Sequence, residues 1–112
     1  MGLRQERLAD EIRDLLATCF LGSQMRDPRL EGVSITHVKV SADLQLATAY
    51  FRLYNHGPKD QAKVGLERSK GFLRKHLAQN LKLRRVPELR FFYDESVEHG
   101  SRIEALLHQA KN

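Results

Sequence analysis

This chain of 112 residues is short of several things, and each absence closes a class of function. It has one cysteine, Cys19, so no disulfide can form within the chain, which fits a reducing compartment. Cys19 falls on an apolar helical stripe, where a thiol is buried and inert rather than nucleophilic. No apolar run approaches membrane-spanning length. The first residues, MGLRQERLADEIRD, carry charges where a signal peptide keeps an apolar core, and Glu6 stands where a myristoylation signal needs Ser or Thr. A cytoplasmic protein is the expectation. The histidines at 37, 56, 76, 99 and 108 are scattered, with no second His or Cys at metal-binding spacing, so no metal or other cofactor is expected. No nucleophile–base pair and no glycine-rich phosphate loop stands out, which argues against an enzyme and against a small-molecule substrate. No two of the seven glycines are three residues apart.

What is present is positive charge, and it is concentrated. Between Lys63 and Arg90 there are nine cationic residues against Glu67 and Glu88, a local excess of +7 in a chain whose net charge is +5. Such a field draws polyanions, nucleic acid first among them. The length suits one domain with one modest core.

The chain orders itself around that segment. Leu8, Ile12, Leu15, Leu16, Cys19 and Phe20 mark one face of a helix from about Arg4 to Leu21, with Gly22 suited to cap it. Arg4 and Arg7 lie one turn apart at its start, where cations oppose the helix dipole, and form a candidate secondary contact to phosphate. Asp27-Pro28 signals a turn. Val33–Val40 reads as a strand whose apolar phase slips between Ile35 and Val38, so a bulge is expected near Thr36-His37. Ser41-Ala42-Asp43 closes a hairpin into a strand beginning at Leu44. Ala47, Ala49, Phe51 and Leu53 take its core face, and Tyr50, Arg52 and Tyr54 form an open face able to stack bases.

Asp60 is a candidate N-cap for a second helix whose stripe runs Ala62, Leu66, Leu73, Leu77 and Leu81. Ser69-Lys70-Gly71 interrupts it, and two helices meeting at an angle at Gly71 are expected, because glycine within a helix costs about 1 kcal/mol relative to alanine. Ser69 can also bond back one turn and bend the chain. The helix should end after Leu83, before Pro87. Glu88–Tyr93 is a strand with Leu89, Phe91 and Tyr93 on one face. A last amphipathic helix carries Ile103, Leu106, Leu107 and Ala110, with Ser101 and Glu104 as a capping box.

The order α-β-β-α-kink-α-β predicts an α+β two-layer sandwich with three strands and helices on one face. It is also that of a type II K-homology (KH-like) domain, here residues 1–95, followed by a helical tail at 96–112. An ordinary K-homology domain grips RNA with a Gly-x-x-Gly loop, which this sequence lacks. Arg4-x-x-Arg7, Asp27-Pro28-Arg29-Leu30, Val38-x-Val40-Ser41-x-Asp43-Leu44, Gly71-Phe72-Leu73-Arg74, Leu83-Arg84-x-x-Pro87-Glu88-Leu89-x-Phe91 and Asp94-x-Ser96 occur in this order over nearly the whole length. In this the chain resembles the ribosome-binding factor A family, whose members replace the Gly-x-x-Gly loop with a kinked Ala-x-Gly junction. Here Ser69 stands in place of the alanine.

The resemblance implies a non-catalytic ribosome biogenesis factor of the bacterial type, linked to growth in the cold. Its partners would be the free, immature 30S subunit and 16S rRNA, and its task late maturation including processing of the 5′ end. A monomer is expected. Lys70, Gly71, Arg74, Lys75, Lys82, Arg84, Arg85 and Arg90 are the candidate RNA-binding residues, with the junction setting their spacing. The competing classes are a DNA-binding domain, which duplex DNA would reveal by competition, and a protein adaptor, which would bind without regard to salt.

Overall fold

The apolar stripe of the first segment folds as helix α1, Leu3–Leu21, and buries Leu8, Ala9, Ile12, Leu16 and Cys19. The computed structural model describes residues 2–21 and 25–95. The expected cap at Gly22 and the expected helix over 96–112 lie outside the described residues. Burial raises the pKa of the Cys19 thiol, which keeps it protonated and unreactive.

A short 3-10 helix, Pro28–Leu30, follows, preceded by Asp27 in extended geometry as the turn signal requires. The Asp27 carboxylate accepts from the Arg29 backbone N–H at 2.9 Å and from the Arg29 guanidinium at 2.6 Å. Strands β1, Val33–Val40, and β2, Leu46–Leu53, pair antiparallel. Ile35 lies opposite Phe51 and His37 opposite Tyr50, so Thr36 is the extra residue of a bulge. That insertion is what lets Val33, Ile35, Val38 and Val40 all point into the core.

The second strand begins two residues later than its composition suggests. Leu44 has a φ of 62°, in the left-handed region, and belongs to the turn. Such geometry is costly for leucine; Leu44 offsets it by packing against the core, while Ser41 and Asp43 bond the turn together.

Helices α2, Lys59–Arg68, and α3, Lys70–Asn80, lead to β3, Glu88–Tyr93. β3 runs parallel to β2, and the sheet order is β1-β2-β3. The core lies between the sheet's inward face and the three helices. Ala47, Ala49, Phe51, Leu89 and Phe91 face Ile12, Leu16, Leu66, Leu73 and Leu77 there, all essentially without exposure. Alanine at two central β2 positions leaves room for the helices to approach.

Two boundaries differ from the sequence expectation. Asp60 does not cap α2: Pro58 occupies the cap, and Asp60 sits in the first turn, where its charge complements the positive end of the helix dipole. The helix expected to reach Leu83 ends at Asn80, because Leu81 turns extended (φ −100°, ψ 140°) to bury its side chain. Residues 81–87 therefore cross to β3 as an irregular connection.

Gly65 has a packing reason. A Cβ there would lie 3.0 Å from Leu30 Cδ2, 3.2 Å from Arg29 Cβ and 3.3 Å from Asp27 Oδ2, so α2 rests directly on the 3-10 turn. The Arg29 hydrogen bond, with the Arg29 and Arg68 charges, holds the Asp27 pKa below its ordinary value. A carboxylate lowered on folding stabilises fully above its unfolded pKa, near 3.9, and loses that contribution as pH falls through the folded value. Asp27→Asn should therefore lower the urea midpoint at pH 7, and the gap from wild type should close in acid below about pH 4.

Candidate nucleic-acid interface

The helix break falls at Ser69, a single residue between α2 and α3, rather than at Gly71 as expected. Ser69 keeps near-helical angles (φ −89°, ψ −1°), and its N–H is shared between the carbonyls of Gly65 at 3.0 Å and Leu66 at 3.1 Å. Its own carbonyl accepts from Leu73 N–H at 2.9 Å, so the ladder tightens and then resumes. The Ser69 hydroxyl makes no capping bond to α3. Gly71 lies inside the first turn of α3, exposed, and an added Cβ would meet no heavy atom within 4 Å. Packing does not demand a glycine here. Gly71→Ala should raise stability by about 0.5–1 kcal/mol in urea unfolding, and a loss of RNA affinity in the same variant would show that a phosphate approaches the bare backbone.

The candidate cations divide into groups. Lys70 is half-buried, its ammonium 2.6 Å from the Glu67 carboxylate one turn away, so part of its charge is already answered. Arg74 and Lys75 are exposed on α3, and the Arg74 guanidinium donates to the Val86 carbonyl at 3.2 Å. That bond joins α3 to the connection bearing exposed Lys82, Arg84 and Arg85. Arg4 and Arg7, expected as a separate contact, share with Lys82 a cleft of about 470 Å³ whose apolar wall includes Leu8, Leu44, Leu81 and Leu83. Arg90 stands apart. It projects from β3 opposite to buried Leu89 and Phe91, onto the sheet face that none of the described helices covers, beside Thr48.

That face holds residues the sequence did not bring together. His37, Tyr50 and Phe92 form a row across all three strands, with ring centroids 6.0 Å and 6.3 Å apart. Lys39 lies 6.0 Å over the Tyr50 ring and Lys63 lies 5.0 Å over Phe92. Of the stacking set expected from sequence, Tyr50 is in this row, Arg52 donates to the Asp94 carbonyl at 3.0 Å, and Tyr54 falls beyond the end of β2. The missing signal was strand order: only the parallel placement of β3 against β2 sets Phe92 beside Tyr50. Among the described residues no cluster of His, Cys, Asp or Glu could hold a metal ion, and no helix is long and apolar enough to cross a membrane.

Three helices over one face of a three-stranded mixed sheet, with exposed cations on the connecting chain, define a small basic α+β domain. The chain belongs to the ribosome-binding factor A family, whose model matches residues 4–107. The crystal structure of ribosome-binding factor A from Thermus thermophilus is similar, with a TM-score of 0.72 and 25% identity over 80% of this chain and 93% of that one. A solution structure of a Thermotoga maritima protein assigned to the same factor gives 0.68 and 35% identity, over 82% and 88%. A homology model of the T. thermophilus factor, fitted into a cryo-electron microscopy map of a 30S complex, has the same fold, with a TM-score of 0.66 and 24% identity over 78% and 91%.

Proposed function

We propose that this protein binds the immature 30S ribosomal subunit in the cytoplasm as a monomer, contacting 16S rRNA. There it assists late maturation, including processing of the RNA's 5′ end, and supports growth in the cold. It acts by binding and release, without catalysis. Residues 1–95 serve as a type II KH-like RNA-binding domain and 96–112 as its tail; the α-β-β-α-α-β order and the parallel β2–β3 pair support that assignment.

The observation that carries the proposal is the meeting of Arg74 with the 81–87 connection, in a chain of this family. The T. thermophilus relative has been fitted into a map of a 30S complex, which supports the same partner here. Arg74, Lys75, Lys82, Arg84 and Arg85 contact phosphates, Arg4 and Arg7 extend the surface past Lys82, and Lys70, Gly71 and Arg90 are weaker members. Phosphate contacts position a protein without reading bases, so recognition is of RNA shape.

Sedimentation of tagged protein through a lysate gradient tests the partner. Co-migration with free small subunits and absence from translating ribosomes is the expected result. Migration at the top of the gradient, or displacement from subunits by duplex DNA, would contradict it.

A further inference from the structure

The sheet face away from the helices carries both rings and charge, and almost none of it is used by the phosphate surface described above. His37, Tyr50 and Phe92 cross the three strands in one row, and Phe92 is 45% exposed. Lys39, Lys63 and Arg90 flank it, and among the described residues none of the three has an acidic partner. The acids near the row sit at its margins: Glu6 and Asp10 of α1, which line a cleft with His37 and Lys39, Glu88 at the start of β3, and Asp94, whose carboxylate takes the Thr36 hydroxyl. Aromatic side chains on an open sheet stack unpaired bases, and neighbouring cations hold the strand that links them.

We propose that this face is a second RNA site, which takes single-stranded bases on Tyr50 and Phe92 while Lys39, Lys63 and Arg90 hold the adjoining phosphates. It deepens the function proposed above and rests on it for the class of partner. The arrangement suits unpaired RNA, because a duplex keeps its base faces stacked on one another and out of reach of such a row. His37 extends the platform as the ring stacked on Tyr50.

The test compares a short fluorescein-labelled oligouridine with an abasic strand of the same length, so that phosphates are matched and only bases differ. Wild-type protein at low salt should bind the base-bearing strand at least about fivefold more tightly, the effect of one stacked base. Tyr50→Leu with Phe92→Leu should abolish the preference, and Tyr50→Phe should keep it. Phe92→Leu alone, at an exposed position, should reduce the preference even if the double variant folds poorly. Arg84→Glu with Arg85→Glu should weaken both strands equally, so failure of the phosphate surface is told apart from failure of the stacking site. Equal wild-type affinity for the two strands, no binding of either, or a preference that survives the leucine changes would overturn the proposal. So would loss of a ribosomal-protein contact in the leucine variant with RNA binding intact, which would assign the face to a protein.

Discussion

Reversing charge at Arg74, Arg84 and Arg85 together should abolish binding to purified free small subunits and leave the far-ultraviolet circular dichroism spectrum as it is in the wild type. All three side chains are exposed, and the protein hydrogen bond at stake is that from Arg74 to the Val86 carbonyl. An exposed bond of that kind contributes on the order of 1 kcal/mol, too little to unfold the domain. The binding cost is larger, because on the proposed interface three cations become three anions facing phosphates. Each phosphate contact removed should also flatten the dependence of log affinity on log salt by about one unit. A triple variant that binds like wild type would move the interface elsewhere on the molecule.

Phe51→Ala should cost about 3–5 kcal/mol of folding stability, a large part of the 5–15 kcal/mol that a domain has. The ring is 1% exposed in the central strand, opposite Ile35 on one side and Tyr93 on the other. It meets the Tyr93 ring edge-on at 5.6 Å, so truncation removes a packed aromatic pair as well as apolar area. Thermal unfolding should show a midpoint lower by about 15 °C or more. A shift of only a few degrees would mean that the two layers close around the deletion.

Most of the scaffold could be read from residue types and spacing. The phase slip from Val33 and Ile35 to Val38 and Val40 has only one economical solution, an extra residue, and Thr36 is that residue. Alanine at 47 and 49 marked the face on which helices lie. The exit from α3 could not be read, because Leu73, Leu77 and Leu81 keep helical spacing and only tertiary burial turns Leu81 extended. Gly71 drew attention as the break, yet the ladder tightens at Ser69, next to the turn that Gly65 fixes on the 3-10 helix.

The site was legible as charge and illegible as shape. Nine cations in one window announce a polyanion partner, but a linear count does not show that Lys70 is answered by Glu67 three residues earlier. Nor does it show that Arg4 and Arg7 come round to Lys82, or that Arg90 leaves for the opposite face. Those facts depend on α1 lying against α3 and on β3 entering beside β2, which are choices of the whole fold.

Salt dependence of affinity for purified small subunits tests the central claim most directly. With about five phosphate contacts through Arg74, Lys75, Lys82, Arg84 and Arg85, log affinity should fall against log salt with a slope on the order of −4. A flat response would contradict electrostatic docking on ribosomal RNA and would place the binding energy in uncharged contacts instead.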